Sequence, residues 1–228
     1  MTTQQQISGV SDAEFVERMV ERYPGRFNDQ YWSVFKANVG RHLPAEPVIV
    51  DLGCGPGLYL RDLSERQQGS RLYGFDAAPA MIEHARGLRY RGAPPTLAVQ
   101  DVEKEPLPLD PGGVDLVSMT GVLHVLEDPF AVLAEVQRLL RPGGLFLLDD
   151  WVRMPLAEYV RDRPRHRGEP PDGQRAGWLR MFPFHNKYTA EDWKWLLAEA
   201  GFSLVSTVQI RPQSQIFVAV VRTSLGGQ

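Results

Sequence analysis

Val48-Ile49-Val50-Asp51-Leu52-Gly53-Cys54-Gly55-Pro56-Gly57 decides the fold. A β-branched run from Val48 to Val50 makes a short strand that can be buried on both faces, and Asp51 stands near its end. Glycines at 53, 55 and 57 let the backbone turn sharply, and a helix begins near Leu58. Strand, glycine turn, helix is how an open α/β sheet holds a nucleotide-like ligand at the carboxyl end of its first strand. The spacing narrows the ligand. A G-x-G-x-x-G dinucleotide fingerprint needs glycine at the position of Leu58. A phosphate-cradling loop needs Gly-Lys-Ser/Thr, and no lysine lies between Lys36 and Lys104.

From this point strands and helices alternate, which predicts a parallel sheet with helices on both faces. Strands are expected at 48–52, 71–75, 96–100, 114–119 and 145–149. Helices are expected at about 58–67, 79–88 and 129–140, the last stopped by Arg141-Pro142-Gly143-Gly144. Acidic residues recur near the strand ends, with Asp51, Asp76 and Asp101 each 25 positions apart. In a doubly wound sheet those ends line one crevice. Any one of these aspartates alone reads as a turn or helix-capping residue; three behind a glycine turn point to a ligand. A helix capped by Thr189 and two strands, Leu204 to Ile210 and Gln215 to Val221, close the chain as an antiparallel hairpin. Before the sheet, Ser11-Asp12 caps a helix with Phe15, Met19 and Val20 on one face, broken by Pro24-Gly25. A second helix runs from Tyr31 to His42.

The chain has 228 residues, 43% hydrophobic and 23% charged, with a formal net charge of −3. That is the composition of an α/β domain with a sizeable core. The balance of charge gives no global attraction to nucleic acid or to an anionic membrane. One cysteine, Cys54, excludes an internal disulfide and cysteine-based zinc sites, and reads as a small packed residue. No apolar run approaches the roughly 20 residues of a membrane span, and the N-terminus lacks a signal-peptide pattern, so a cytoplasmic protein is the expectation.

The D-x-G-x-G-x-G pattern at Asp51–Gly57 resembles motif I of the class I S-adenosylmethionine (SAM) dependent methyltransferases. Leu72 to Ala85, Val114 to Pro129 and Leu139 to Asp149 resemble that family's second, fourth-strand and fifth-strand motifs, in the same order. The resemblance covers residues 45–222. It implies a doubly wound, mostly parallel seven-stranded sheet of order 3-2-1-4-5-7-6 with strand 7 antiparallel, and SAM as methyl donor. SAM has no phosphate, so the turn need not grip an anion, and the glycines let the backbone pass close beside it. Asp51 then sits near the ammonium end, with Gly53, Gly55 and Gly57 forming the turn. Asp76 accepts from both ribose hydroxyls. Asp101 accepts from the adenine amino group, while the Val102 N–H reaches a ring nitrogen. Ala77, Ala78 and Met81 give the adenine an apolar slot, and Thr120 follows the fourth strand.

The acceptor is less legible. Met119-Thr120-Gly121 stands where DNA and protein amide methyltransferases carry Asn/Asp-Pro-Pro-Tyr, which favours a small molecule methylated on oxygen. Methylation of RNA or protein, or SAM binding without transfer, are the alternatives. His124 is the catalytic candidate: Val122 to Asp128 resembles the Leu-His-Asp segment of plant-type O-methyltransferases, whose His is the general base, although Val125-Leu126 follows here. A neutral imidazole suits proton removal near neutrality; a histidine that only hydrogen-bonds structurally stays open. Asp149-Asp150 could bind a divalent ion, but no third carboxylate follows strand four, so no metal site is expected.

The chain divides into an N-terminal helical cap (1–44), a SAM-binding core (45–150), a cap insertion (151–188) and the C-terminal helix and hairpin (189–228). The two caps are expected to cover the acceptor, with Tyr31-Trp32 approaching the open strand ends. The insertion is rich in cations, Arg153, Arg161, Arg163, Arg165, Arg167, Arg175, Arg180 and Lys187. They read either as a solvated loop or as a clamp for an anionic acceptor. Trp178, Met181, Phe182, Phe184 and Tyr188 could wall an apolar or aromatic pocket or pack the cap to the core, and His185-Asn186 could reach the site from the cap. No nucleic acid or membrane partner is expected, and the protein is a monomer or homodimer.

Overall fold

The computed structural model describes residues 9–161 and 171–222. Seven strands form one sheet: β1 (Val48–Leu52), β2 (Arg71–Asp76), β3 (Thr96–Val99), β4 (Val114–Thr120), β5 (Leu140–Trp151), β6 (Phe202–Arg211) and β7 (Ser214–Val221). Their order is β3-β2-β1-β4-β5-β7-β6. Strands β1 to β5 pair in parallel, and β7 runs antiparallel to both β5 and β6. This is the topology that the sequence resemblance implied. The order in which successive strands are added reverses between β1 and β4, which opens the crevice where an α/β fold holds its ligand.

Period-two alternation divides the core. Val50, Leu52, Val117, Met119, Phe146, Leu148, Phe217 and Ala219 face one side. There they meet helices α5 (Pro129–Leu139) and α8 (Ala190–Glu199). Ile49, Leu116, Leu145, Leu147, Ile216 and Val218 face the other side. That face is covered by α2 (Asp29–Asn38), α3 (Leu58–Arg66) and α4 (Pro79–Arg86). Helix α8 starts where the sequence placed it, in a capping box between Thr189 and Asp192.

Three expectations are corrected. Helix α1 (Asp12–Arg26) does not break at Pro24 but continues through it to Arg26. Proline forfeits one backbone hydrogen bond near the helix end. Tertiary contacts offset the loss: Arg26 pairs with Asp149, and Phe27 packs edge-on against Tyr31 with ring centroids 4.8 Å apart. The second helix stops at Asn38, and Gly40–His42 forms a separate 3-10 turn. Arg141 to Gly144, read as a helix stop, belongs to β5. Leu140 already pairs with Val114, and an irregular register before Leu116↔Leu145 takes up the extra residues. Tyr31 and Trp32, expected to approach the strand ends, lie where burial and the charges of Asp149 and Asp51 raise the pKa of Tyr31. Both are buried against α3, where Trp32 stacks on Tyr59 and the Tyr31 hydroxyl lies 3.1 Å from that of Tyr59.

The insertion after β5 forms two helices, α6 (Leu156–Arg161) and α7 (Pro171–His185). Arg163, Arg165 and Arg167 lie outside the described residues.

One buried carboxylate joins the first helix to the far end of the sheet. Asp149 is fully buried, accepts from Arg211 Nη2 at 2.8 and 3.2 Å, and lies 3.4 Å from Arg26 Nη2. Arg211 in turn donates to the carbonyl of Arg26 at 3.3 Å. Replacing Asp149 with Ala leaves two largely buried cations without their counter-charge. Equilibrium urea unfolding of Asp149→Ala is expected to show a loss of about 3–5 kcal/mol.

Candidate functional site

The glycine turn after β1 is fastened beneath β2. The Gly53 and Cys54 amides donate to the Phe75 carbonyl at 2.7 and 3.0 Å. Gly55 has φ +53°, and no heavy atom lies within 4 Å of where its Cβ would stand. Glycine there keeps the floor of a cleft open. That cleft opens to solvent, and about 690 Å³ of empty space lies in and over it, open solvent included. Gly53, Gly55, Phe75, Asp76, Ala77, Ala78, Met81, Gln100, Val102, Thr120, Gly121, Val122 and Val125 line it from the strand ends. Phe15 and Met19, four residues apart on α1, line it from above.

Of the residues predicted to bind the cofactor, Gly53, Gly55, Asp76, Ala77, Met81, Val102 and Thr120 line this cleft. Gly57 does not line it; it opens helix α3 with φ +81°. Asp101 also lies off the lining, where its carboxylate accepts from the Glu103 amide at 3.1 Å and pairs with Lys104 at 3.0 Å. The preceding residue, Gln100, faces the cleft instead. Phe15, Met19, Gln100, Val122 and Val125 were not identified from the sequence as site residues.

Asp76 accepts from the Gly55 amide through one oxygen and from the Ala78 amide through the other, both at 2.9 Å. Burial raises its pKa, and the two amides oppose the rise. Each oxygen keeps a further lone pair for a ligand hydroxyl. Asp51 lies behind the glycine turn, 1% exposed. Ser118 Oγ donates to its Oδ1 at 2.6 Å, and Oδ2 is buried with no partner among the described residues. Burial pushes its pKa up to about 7, against the opposing effects of Ser118 and Arg26. A buried, half-satisfied carboxyl beside a glycine turn is suited to a cationic ligand group.

His124 occupies a 3-10 turn, Leu123–Val125, directly after β4. Its ring Nδ1 is 2.6 Å from Asp150 Oδ1, and its backbone N–H donates to Asp150 Oδ2 at 3.2 Å. Asp150 also accepts from the Trp151 amide at 2.7 Å. Nε2 of His124 is buried and has no hydrogen-bond partner among the described residues. The cap approaches from α7: His185 lies 5.1 Å from His124 between ring centroids and stacks on Trp151 at 4.0 Å. The Tyr159 hydroxyl, from α6, is 2.7 Å from His185 Nδ1. Asn186 is a local brace, accepting from the Met154 amide at 2.7 Å. The two adjacent acids of β5 are thus committed to different partners, Asp149 to arginines and Asp150 to His124.

Two cap cations are spoken for. Arg153 donates to the carbonyls of Asn186 and Lys187, and Lys187 to that of Leu126. Phe182 packs on Tyr159 within the cap, and Tyr188 packs on Trp193, which ties the cap to α8.

The glycine cradle, the buried Asp51, the half-buried Asp76 and the apolar side of the cleft fit an adenosyl group with a cationic tail. A family model described as a methyltransferase domain matches residues 25–207. The chain belongs to the class I SAM-dependent methyltransferases. Among its curated relatives, the malonyl-[acyl-carrier protein] O-methyltransferase of Hahella chejuensis is 34% identical over 110 residues, covering 48% of this chain and 38% of that one. The ubiquinone biosynthesis O-methyltransferase of Xanthomonas oryzae is 31% identical over 153 residues, covering 58% of this chain and 60% of that one. The chain spans less than half the length of the first curated relatives it matches. A SAM-dependent methyltransferase from Aquifex aeolicus superposes with a TM-score of 0.63 at 20% identity, over 92% of this chain and 98% of that one, which shows the shared fold. The methyl donor of this methyltransferase family is SAM. Among the described residues, no group of three or more His, Cys, Asp or Glu could hold a metal ion, and no helix is long and apolar enough to cross a membrane.

The raised Asp51 has a thermodynamic signature in the ligand-free protein. A carboxyl with a higher pKa folded than unfolded contributes stability that is present in full below its unfolded pKa. That stability is lost as pH rises toward the folded value of about 7. Chemical denaturation at pH 5 and pH 8 should show Asp51→Asn losing less stability with rising pH than the wild type, by about 2–4 kcal/mol.

Proposed function

We propose that this chain transfers the methyl group of SAM to an oxygen of a small-molecule acceptor, with His124 as the general base. One observation carries the reading: His124 is held through Nδ1 by a buried carboxylate and left without a partner at Nε2. Asp150 also accepts the His124 and Trp151 amides. With Nδ1–H donating a hydrogen bond to its carboxylate, the ring is held in the tautomer whose lone pair is on Nε2. That nitrogen can receive the proton of an attacking hydroxyl.

Several residues would hold the donor. Asp76 would accept the ribose hydroxyls, and Ala77, Ala78, Met81 and Val102 would flank the adenine. Asp51 would receive the ammonium group, and Thr120 would stand at the edge of the crevice beside β4. Bound SAM supplies an electrophilic methyl group on a sulfonium. The protein's task is orientation and exclusion of water, which supply most of the acceleration for an activated donor. Helix α1 would cover the donor through Phe15 and Met19, while α6 and α7 would bound the acceptor side around His124. The two O-methyltransferases among the relatives support an oxygen acceptor.

His124→Ala is expected to lower methyl transfer by about 10²–10⁴ while SAM affinity changes little. A folded His124→Ala enzyme with near-normal turnover would eliminate the base and leave proximity as the main catalytic device.

A further inference from the structure

The proposed reaction leaves His124 with a proton to shed. Methyl transfer forms the bond between the acceptor oxygen and the methyl carbon and breaks the sulfonium S–C bond, whose electron pair stays on sulfur. The hydroxyl proton passes to His124 Nε2, and that proton must reach water before the next cycle. His124 is 1% exposed, so the way out runs through its neighbours. Asp150 offers none. It is as deeply buried, at 1%, and its two oxygens already accept from His124 and from the Trp151 amide.

A second imidazole stands against the first. The His185 ring lies 5.1 Å from that of His124 between centroids, with the planes tilted by 52°. His185 is 5% exposed, more than His124 or Asp150. It occupies the last turn of α7, where the helix dipole favours a positive charge. Two contacts steady its ring: a stack on Trp151 at 4.0 Å and the Tyr159 hydroxyl 2.7 Å from Nδ1. Lys187 also meets this turn, donating to the Leu126 carbonyl at 3.0 Å, but an ammonium group takes up no further proton.

We propose that His185 carries the proton from His124 toward solvent. The inference rests on His124 being the base. An imidazole suits the task, because it binds a proton at one nitrogen while the other stays hydrogen-bonded. Rings this close pass a proton after a small turn of either, or through one bridging water. His185 thus acts through His124 and not on the acceptor. The cap then does more than bound the acceptor side: α7 supplies the route by which the base is reset.

The rate at which His124 gains and loses a proton is measurable without an acceptor. In full-length protein labelled with nitrogen-15 at its five histidines, the line shape of the His124 imidazole resonances through a pH titration gives that rate. His185→Phe keeps a ring to stack on Trp151 and loses the proton carrier. It should slow the exchange by on the order of 10²-fold. His185→Gln should slow it likewise if the phenylalanine variant does not fold. Free imidazole added to His185→Ala, where the missing ring leaves room, should bring the rate back toward that of the wild type. A role in packing alone predicts the opposite sign, since loss of the ring opens the site to water and speeds the exchange. An unchanged or faster rate in a folded His185→Phe or His185→Gln protein overturns the relay. The base assignment stands or falls separately, on the turnover of His124→Ala.

Discussion

The buried carboxylate of Asp149 is the constraint on which the site depends. Taking a carboxylate out of water costs several kcal/mol unless its partners replace the lost hydration. Here those partners come from the last residue of the first helix and from β6, the final strand of the sheet order. The ion pair therefore fixes where α1 ends, and with it where Phe15 and Met19 reach over the cleft. The next residue does a different job. Successive side chains of a strand point to opposite faces, so Asp149 shares its face with Leu147 while Asp150 shares the face of Leu148. Asp150 there holds His124, the base in the proposed reaction. Two adjacent acids at the end of one strand set the two halves of the site.

The donor half uses chemistry that is local in the chain. A strand, a glycine turn and an acid at the next strand end are separated by few residues, and Asp76 closes the set by accepting the Gly55 amide. This half was legible in the sequence because its geometry follows from φ freedom and strand periodicity. The sheet order was legible too, through the resemblance of four motifs in sequence. Asp101, expected at the adenine, stands off the cleft lining: β3 ends at Val99, and the next residue, Gln100, lines the cleft.

The rest depends on contacts between distant residues, which no local pattern announces. Arg26 and Asp149 are 123 positions apart, and the His124–Asp150 pair spans a helix and a strand. The pair Asp149-Asp150 reads from sequence as a potential metal ligand set; only the fold assigns each acid its own cation or imidazole. Pro24 reads as a helix stop, but packing of Arg26 and Phe27 overrides a propensity cost of about 3 kcal/mol. Tyr31 and Trp32 stand outside the repeating strand–helix pattern, and the fold packs both into the core against Tyr59. Periodicity did place Phe15 and Met19 on one face of α1; what that face covers became evident only in three dimensions.

The central claim is that the acids near the strand ends read a SAM-type ligand in this cleft. Asp76 tests it most directly, since it faces the cleft and its two oxygens are the predicted acceptors for the ribose hydroxyls. Calorimetric titration of S-adenosylhomocysteine should show micromolar-range binding to the wild type without added metal. Binding to a folded Asp76→Ala variant should be about ten- to hundredfold weaker, as expected for loss of charge-assisted hydrogen bonds. Unchanged affinity in that variant would contradict the account.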